Sequence, residues 1–212
     1  MLRFIYADQL HNHPKLAVSM FRDRADQFKK RLNWDVDVDA DGLERDEYDD
    51  LNPLYVIWEK ADGPHGGSMR FLLTTGQVMV NDHFQHLIGG GTVTSPVIWE
   101  CTRFCLTKGA DPKIAAALML AGGEIMEGFG IEHFVGVFDA RMVRIYRMIG
   151  ASPEVLGSTG TGRNQISVGL WHFAAEAKDK VAAKAGLSPE ISKLWFDRAF
   201  GQKQGLELAK AG

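Results

Sequence analysis

Leu16, Met20, Ala25, Phe28 and Leu32 recur at close to helical spacing with charge on the other faces, which predicts a helix over residues 14–33. The polar stretch Asp35–Asp50 follows, with seven Asp and two Glu, and runs into the turn-prone Asn52-Pro53. A connection this long is expected to be functional or mobile. Strands are predicted at Leu54–Glu59 and Ser68–Thr74, joined as a hairpin through Ala61–Gly67. Val78–Gly91 carries Phe84 and Leu87 without a clear period and reads as a loose segment. Pro96–Leu106 reads as a buried strand. Ile114, Leu118, Ala121, Ile125 and Phe129 then mark a helix stopped by Gly128 and Gly130.

His133–Phe138 is the next strand, and Asp139–Ile149 a short helix closed by Gly150. Gly157–Gly162 reads as a loop and Gln165–Phe173 as the last core strand. Two helices are expected in the tail. Ala174–Lys184 is rich in Ala and Lys; the second opens at Ser188-Pro189-Glu190 and carries Ile191, Leu194, Trp195 and Phe200 as its apolar stripe. The order αββ then βαβαβ describes one mixed sheet covered by helices, an α/β (α+β) fold. The expected organisation is a domain over residues 1–173 and a helical tail over 174–212, packed on the domain or partly mobile.

Composition narrows the function. The chain has 212 residues, is 45% hydrophobic and 24% charged, and carries a formal net charge of −3. That balance suits an ordinary globular core and argues against binding nucleic acid through bulk charge. Met1–Leu10 lacks the apolar core of an export signal, and no long apolar run would span a membrane. A cytoplasmic protein is expected. The two cysteines, Cys101 and Cys105, would lie roughly 13 Å apart on one strand at about 3.3 Å per residue. No disulfide bridges that distance, and no second Cys or His pair offers a metal site.

Chemistry concentrates in Trp99-Glu100-Cys101-Thr102-Arg103-Phe104. A carboxylate and a guanidinium three residues apart in a buried strand demand partners or a polar cavity, because an unpaired buried charge costs several kcal/mol. Arg24, Asp46, Asp49 and Arg70 join them as charges in apolar or turn contexts, and three arginines and three acids can balance as hydrogen-bonded pairs. In a regular strand Glu100 and Arg103 point to opposite faces. A β-bulge between residues 100 and 104 is therefore predicted. Arg141, Arg144 and Arg147 form a basic stripe on one helix, either a solvated face or a docking patch for an acidic partner. The Gly157–Gly162 spacing fits no phosphate-binding motif.

With those residues in view, the chain resembles the acyl-homoserine-lactone synthases, the LuxI type of autoinducer synthase, from about Arg24 to Gly150. Arg24, Phe28 and Trp34 match one family element. Gly42–Asp49 matches its acidic pair at Asp46 and Asp49. Arg70–Thr75 matches the arginine-led element loosely, with Thr74 where Pro is common, and Phe84 and Trp99–Phe104 complete the set.

The resemblance implies a fold like the GNAT acyltransferases, a three-layer α/β/α sandwich with a mixed, twisted sheet and a V-shaped cleft for an acyl thioester. It implies S-adenosylmethionine and an acyl thioester, on acyl carrier protein or coenzyme A, as substrates, with no cofactor and no metal. Glu100 is the expected catalytic acceptor of the amine proton. Arg24, Phe28, Trp34, Asp46, Asp49, Arg70, Phe84 and Arg103 are expected to hold S-adenosylmethionine or order the amino-terminal segment over it, with that segment ordering when it binds. Gly136, Leu118 and Met142 are the expected acyl-selectivity positions; Gly136 stands where members preferring 3-oxo chains tend to carry Thr, so an unsubstituted or otherwise unusual acyl group is expected, accommodated beside Leu118 and Met142. Arg141, Arg144 and Arg147 are the expected carrier-docking stripe, and a monomer or weak dimer is expected. Two other readings share parts of this pattern: an N-acyltransferase acting on another amine with acyl-coenzyme A, and a non-catalytic acyl-thioester-binding regulator. The first should show an Arg/Gln-x-x-Gly-x-Gly/Ala loop where the chain has Thr107–Pro112, and the second has little use for Glu100.

Overall fold

The computed structural model describes residues 1–172 and 174–210. Its strands in chain order are β1 (Leu2–Tyr6), β2 (Leu54–Glu59), β3 (His65–Leu73), β4 (Ile98–Leu106), β5 (His133–Asp139), β6 (Glu154–Thr159) and β7 (Ile166–His172). The helices are α1 (Pro14–Arg24), α2 (Met79–His83), α3 (Pro112–Phe129), α4 (Ala140–Ile149), α5 (Ala175–Ala185) and α6 (Pro189–Lys210). The strands form one sheet in the order β1-β2-β3-β4-β5-β7-β6, antiparallel except between β4 and β5.

Alternation along the strands makes two apolar faces. Leu2, Phe4, Leu54, Val56, Met69, Phe71 and Trp99 meet Ile114, Leu118, Ala121 and Ile125 of α3 on one side. On the other, Ile5, Tyr55 and Ile57 meet Leu16, Met20 and Phe21 of α1, while Leu72, Val135 and Val168 pack with Tyr48, Val78 and Val80. Full burial of each such side chain contributes about 1.5–3 kcal/mol. The outcome is the three-layer mixed sandwich. Among the described residues no helix is long and apolar enough to cross a membrane.

The tail helices close the α3 side. Val181, Ala182 and Ala185 of α5 pack on Ala115, Ala116 and Ala117. Phe196 of α6 enters the main core against Phe4 and Phe129. Its ring fills the space a Cβ at Gly128 would need, so the two helices meet there only over glycine. The sequence ends the last strand and the domain at Phe173, which lies outside the described residues, as do Ala211 and Gly212.

Several elements differ from expectation. β1 and β6 are additional edge strands, and β6 occupies part of the expected Gly157–Gly162 loop. Most of its side chains are exposed, so it carries no alternating pattern to read. The helix expected to Asn33 stays α-helical only to Arg24 and continues as a π-helix over Ala25–Arg31. Val78–Gly91 contains α2, and a 3₁₀ turn at Glu47–Leu51 begins within the expected polar connection.

One break in the sheet positions everything that follows. β4 and β5 pair only from Ile98, Trp99 and Glu100 to His133, Phe134 and Val135. Beyond that point β4 runs on to Leu106 beside β3, and β5 to Asp139 beside β7. The two parallel strands part like a V.

Candidate active site

Three arginines and three carboxylates lie between the sheet and the amino-terminal segment. Arg24, at the end of α1, forks onto Asp49 with two bonds of 2.9 Å and reaches Glu44 at 2.5 Å. Arg70 of β3 donates to Asp46 and Asp49, the latter at 2.7 Å, and its Nε bonds the Thr102 hydroxyl at 3.0 Å. Arg103 of β4 bonds Glu44 at 3.0 Å and Asp46 at 2.6 Å. Tyr55 adds its hydroxyl to Asp49 at 2.5 Å. Burial alone would raise the Asp49 carboxyl, but Arg24 and Arg70 hold it far below the usual carboxylate range. Asp46 and Asp49 also cap the Glu47–Leu51 turn reciprocally, which ties this end of the polar connection to the arginines.

The third acid of the balanced set is Glu44, not Glu100. Glu44 was not among the expected site residues although it lies two positions before Asp46. Its only signal was a carboxylate next to apolar Leu43, obscured by the eight other acids of Asp35–Asp50.

Glu100 lies on the same sheet face as Arg70, paired across the ladder with Leu72, and is fully buried. Its two oxygens accept the N–H groups of Met79 at 3.0 Å and Val80 at 2.6 Å, at the start of α2. Burial pushes its pKa up to about 7 against the pull of those two N–H groups and of Arg70.

The bulge is present. β3 advances from Ser68 to Arg70 while β4 advances from Cys105 to Thr102, leaving one extra residue on β4. Arg103 takes the left-handed conformation, φ 52°, as the extra residue of a bulge can. Thr102 and Arg103, consecutive in sequence, thereby both reach the Arg70–Asp46 pair. Arg103 also lies 5.5 Å over the Phe28 ring, and Trp34 stacks on Phe28 at 5.2 Å. Phe28 is thus enclosed; the aromatic surface left for a ligand belongs to the half-buried Trp34. Phe84 is half-buried next to His83 and His86 after α2.

A cavity of about 130 Å³ fills the mouth of the V. Thr102, Arg103 and Phe104 line it from β4, Gly136 and Val137 from β5, Met119, Gly123 and Met126 from α3, and Ala177, Lys178 and Val181 from α5. At Gly136 a Cβ would sit 2.7 Å from the Cys101 carbonyl oxygen, so only glycine permits this approach of the two strands.

Residues 8–181 match the autoinducer synthase family. An acyl-homoserine-lactone synthase of Rhizobium etli is 39% identical over 183 residues, 83% of this chain and 86% of that one. The chain belongs to the autoinducer synthase family. It is an acyl-homoserine-lactone synthase, an acyltransferase that makes quorum-sensing autoinducers. Two solved structures share its GNAT-like fold. A CoA-dependent acyl-homoserine lactone synthase, BjaI, solved with SAM and isopentyl-CoA, superposes with a TM-score of 0.77 at 23% identity, covering 88% of this chain and 90% of that one. A second CoA-dependent synthase, MesI, gives 0.77 at 22% identity, covering 89% and 96%.

In this synthase the expected residues separate into groups. Arg24, Asp46, Asp49, Arg70 and Arg103 form the ionic network, Phe28 and Trp34 border it, and Glu100 lies alongside under α2. Gly136 lines the cavity, whereas Leu118 is fully buried in the core under the sheet and Met142 is outside the lining. On α3 the cavity takes Met119 because that side chain points one helical step away from Leu118. Arg141 folds back onto Asp139 at 3.0 Å, while Arg144 and Arg147 are exposed and make no ion pair among the described residues.

Proposed function

We propose that this synthase acylates the amine of S-adenosylmethionine from an acyl thioester, with Glu100 as proton acceptor and the β4 bulge as oxyanion site. The observation that carries this reading is a buried carboxylate, pushed up to about 7, three residues before the extra residue of a bulge that opens on an apolar cavity. An α-amine has a reference pKa of about 7.7–8.0 and is mostly protonated at neutral pH. Glu100 takes its proton through one water, since its oxygens keep lone pairs beyond those given to Met79 and Val80. The nitrogen then attacks the thioester carbonyl; the N–C bond forms, the C–S bond breaks, and the carrier thiol leaves with a proton. Phe104, without a partner in the β3 ladder, turns its N–H toward the parted side and stabilises the oxyanion. In the second step a substrate carboxylate oxygen attacks the γ-carbon, methylthioadenosine leaves, and the lactone closes.

The ionic network positions the substrate rather than neutralising it. Asp46 and Asp49 are already balanced by arginine, so they hold the amino-terminal segment in place. Arg103, 11% exposed where Arg24 and Arg70 are sealed, lines the cavity and receives the substrate carboxylate. Trp34 offers the sulfonium a ring face, worth about 0.5–2 kcal/mol.

The test is Glu100→Gln in the purified enzyme, with lactone formation followed by mass spectrometry. Turnover is expected to fall at least ~10²-fold while the thermal transition is retained; activity equal to the parent overturns the assignment. For the donor, the exposed Arg144 and Arg147 favour an acidic carrier protein. Reversing both to Glu is expected to raise KM for an acyl carrier protein donor and leave acyl-coenzyme A kinetics unchanged; no change with either donor removes α4 from docking. Both substrates are products of cytoplasmic metabolism, and we place the enzyme there.

A further inference from the structure

We infer that Gln27 is a displaceable plug on the open edge of β4, occupying the backbone positions that the carrier arm of the acyl donor takes when it binds. Thr107 N–H bonds Gly66 across the β3 side. Strand alternation therefore turns Phe104 and Leu106 the other way, toward the side that β5 has left. Backbone groups on such an edge need partners. Gln27, from the π-helix, supplies both: its Nε2 donates to the Phe104 carbonyl at 3.1 Å, and its Oε1 accepts from the Leu106 N–H at 3.4 Å. One side-chain amide thus stands in for one peptide of a missing neighbouring strand.

The position lies between two spaces. Phe104 lines the cavity in the V, while Gln27 and Leu106 line a groove of about 640 Å³ whose rim carries Asp23 and Asp26 as well as Lys30, Arg31 and Lys108. Lys30 is paired with Asp26 at 2.5 Å, and Arg31 and Lys108 make no ion pair among the described residues. An acyl chain in the cavity and the phosphate of its carrier arm beside Arg31 and Lys108 must be joined across Phe104–Leu106. The arm of either carrier contains secondary amides, each with the same donor and acceptor as the Gln27 side chain. The geometry is an exchange: the arm's amide takes the Phe104 and Leu106 bonds, and Gln27 turns out to water. The long 3.4 Å contact and the half-buried side chain suit a group that gives way.

This inference rests on the acyl-thioester reading above, and its test separates the two. Steady-state kinetics with octanoyl-coenzyme A and octanoyl-acyl carrier protein would be compared in the parent and in Gln27→Ala. Removing a competitor for the edge is expected to lower the donor KM about 3- to 10-fold, the worth of one net hydrogen-bonded contact, with the S-adenosylmethionine KM and kcat unchanged. A donor KM that is unchanged or raised overturns the plug, whereas a parent that makes no lactone from either donor overturns the acyl-thioester reading instead. A second readout avoids the substitution. In the intact parent, the Gln27 side-chain amide resonance should move toward its solvent-exposed position on saturation with an unreactive octyl-coenzyme A thioether. An unmoved resonance with bound thioether also overturns the plug.

Discussion

Glu44, Asp46 and Asp49 balance Arg24, Arg70 and Arg103 charge for charge; Arg24, Arg70 and Glu44 are sealed from water and the other three keep only a slight exposure. Such a set costs little when complete and much when broken, because removing one partner strands another charge. Glu44→Gln keeps the shape and deletes one negative charge held by both Arg24 and Arg103. It is expected to cost about 3–5 kcal/mol, read as a lowered urea midpoint; a loss below 1 kcal/mol would mean that water already reaches the pair. The two kinds of buried carboxylate respond oppositely to acid. Asp49 is held below its ordinary 3.8, so the stability it adds is present above that value and is lost only in stronger acid. Glu100 is raised from 4.5 to about 7, so its ionisation opposes folding increasingly as pH climbs through that window. The proposed proton-acceptor role needs the ionised form. The parent's kcat is therefore expected to rise with pH up to about 7, and that limb should vanish from the residual activity of Glu100→Gln; persistence of the limb in the variant would assign it to another group.

The bulge of β4 was legible in the sequence because two charges of opposite reach sat three residues apart in an apolar strand, and a regular pleat cannot serve both. The strong helical period of α3 and the paired runs of β5 and β7 were legible for the same reason: local pattern and tertiary packing agree. The π-helix, the edge strands β1 and β6 and the role of Glu44 were not. Each depends on a partner distant in the chain, such as Gln27 on β4, Leu2 against Trp58 or Glu44 against Arg103. Gly136 shows the limit of carrying a position over by resemblance. Its place opposite a Thr of 3-oxo-preferring members suggested an acyl preference, yet the space for any side chain is closed by the Cys101 carbonyl. Gly136→Thr is accordingly expected to force β4 and β5 apart, lowering the melting temperature and turnover with all donors. A stable variant that gains 3-oxo-acyl product would restore the hydroxyl explanation.

At the scale of the whole molecule, the cavity proposed to take the acyl chain is closed by a part of the chain remote from Glu100. The sheet supplies the mouth of the V and α3 one wall, but Ala177, Lys178 and Val181 of α5 complete the lining. Small residues hold that junction open: a Cβ at Gly123 would meet nothing within 4 Å, and Ala177 faces the same space from α5. Lys178 bounds it, fixed at 3.0 Å from Glu124 and 2.7 Å from Glu127. If the acyl chain occupies this cavity as proposed, its length is limited where α3 and α5 meet, and α5 contributes to specificity as well as to the core. Ala177→Phe adds a ring to the far end of the cavity without touching Glu100, the bulge or the ionic network. It is expected to shift the lactone profile toward shorter acyl chains, with short-chain turnover within a few-fold of the parent, as resolved by mass spectrometry of products from a mixed pool of saturated acyl donors. An unchanged profile would move the end of the acyl chain away from α5.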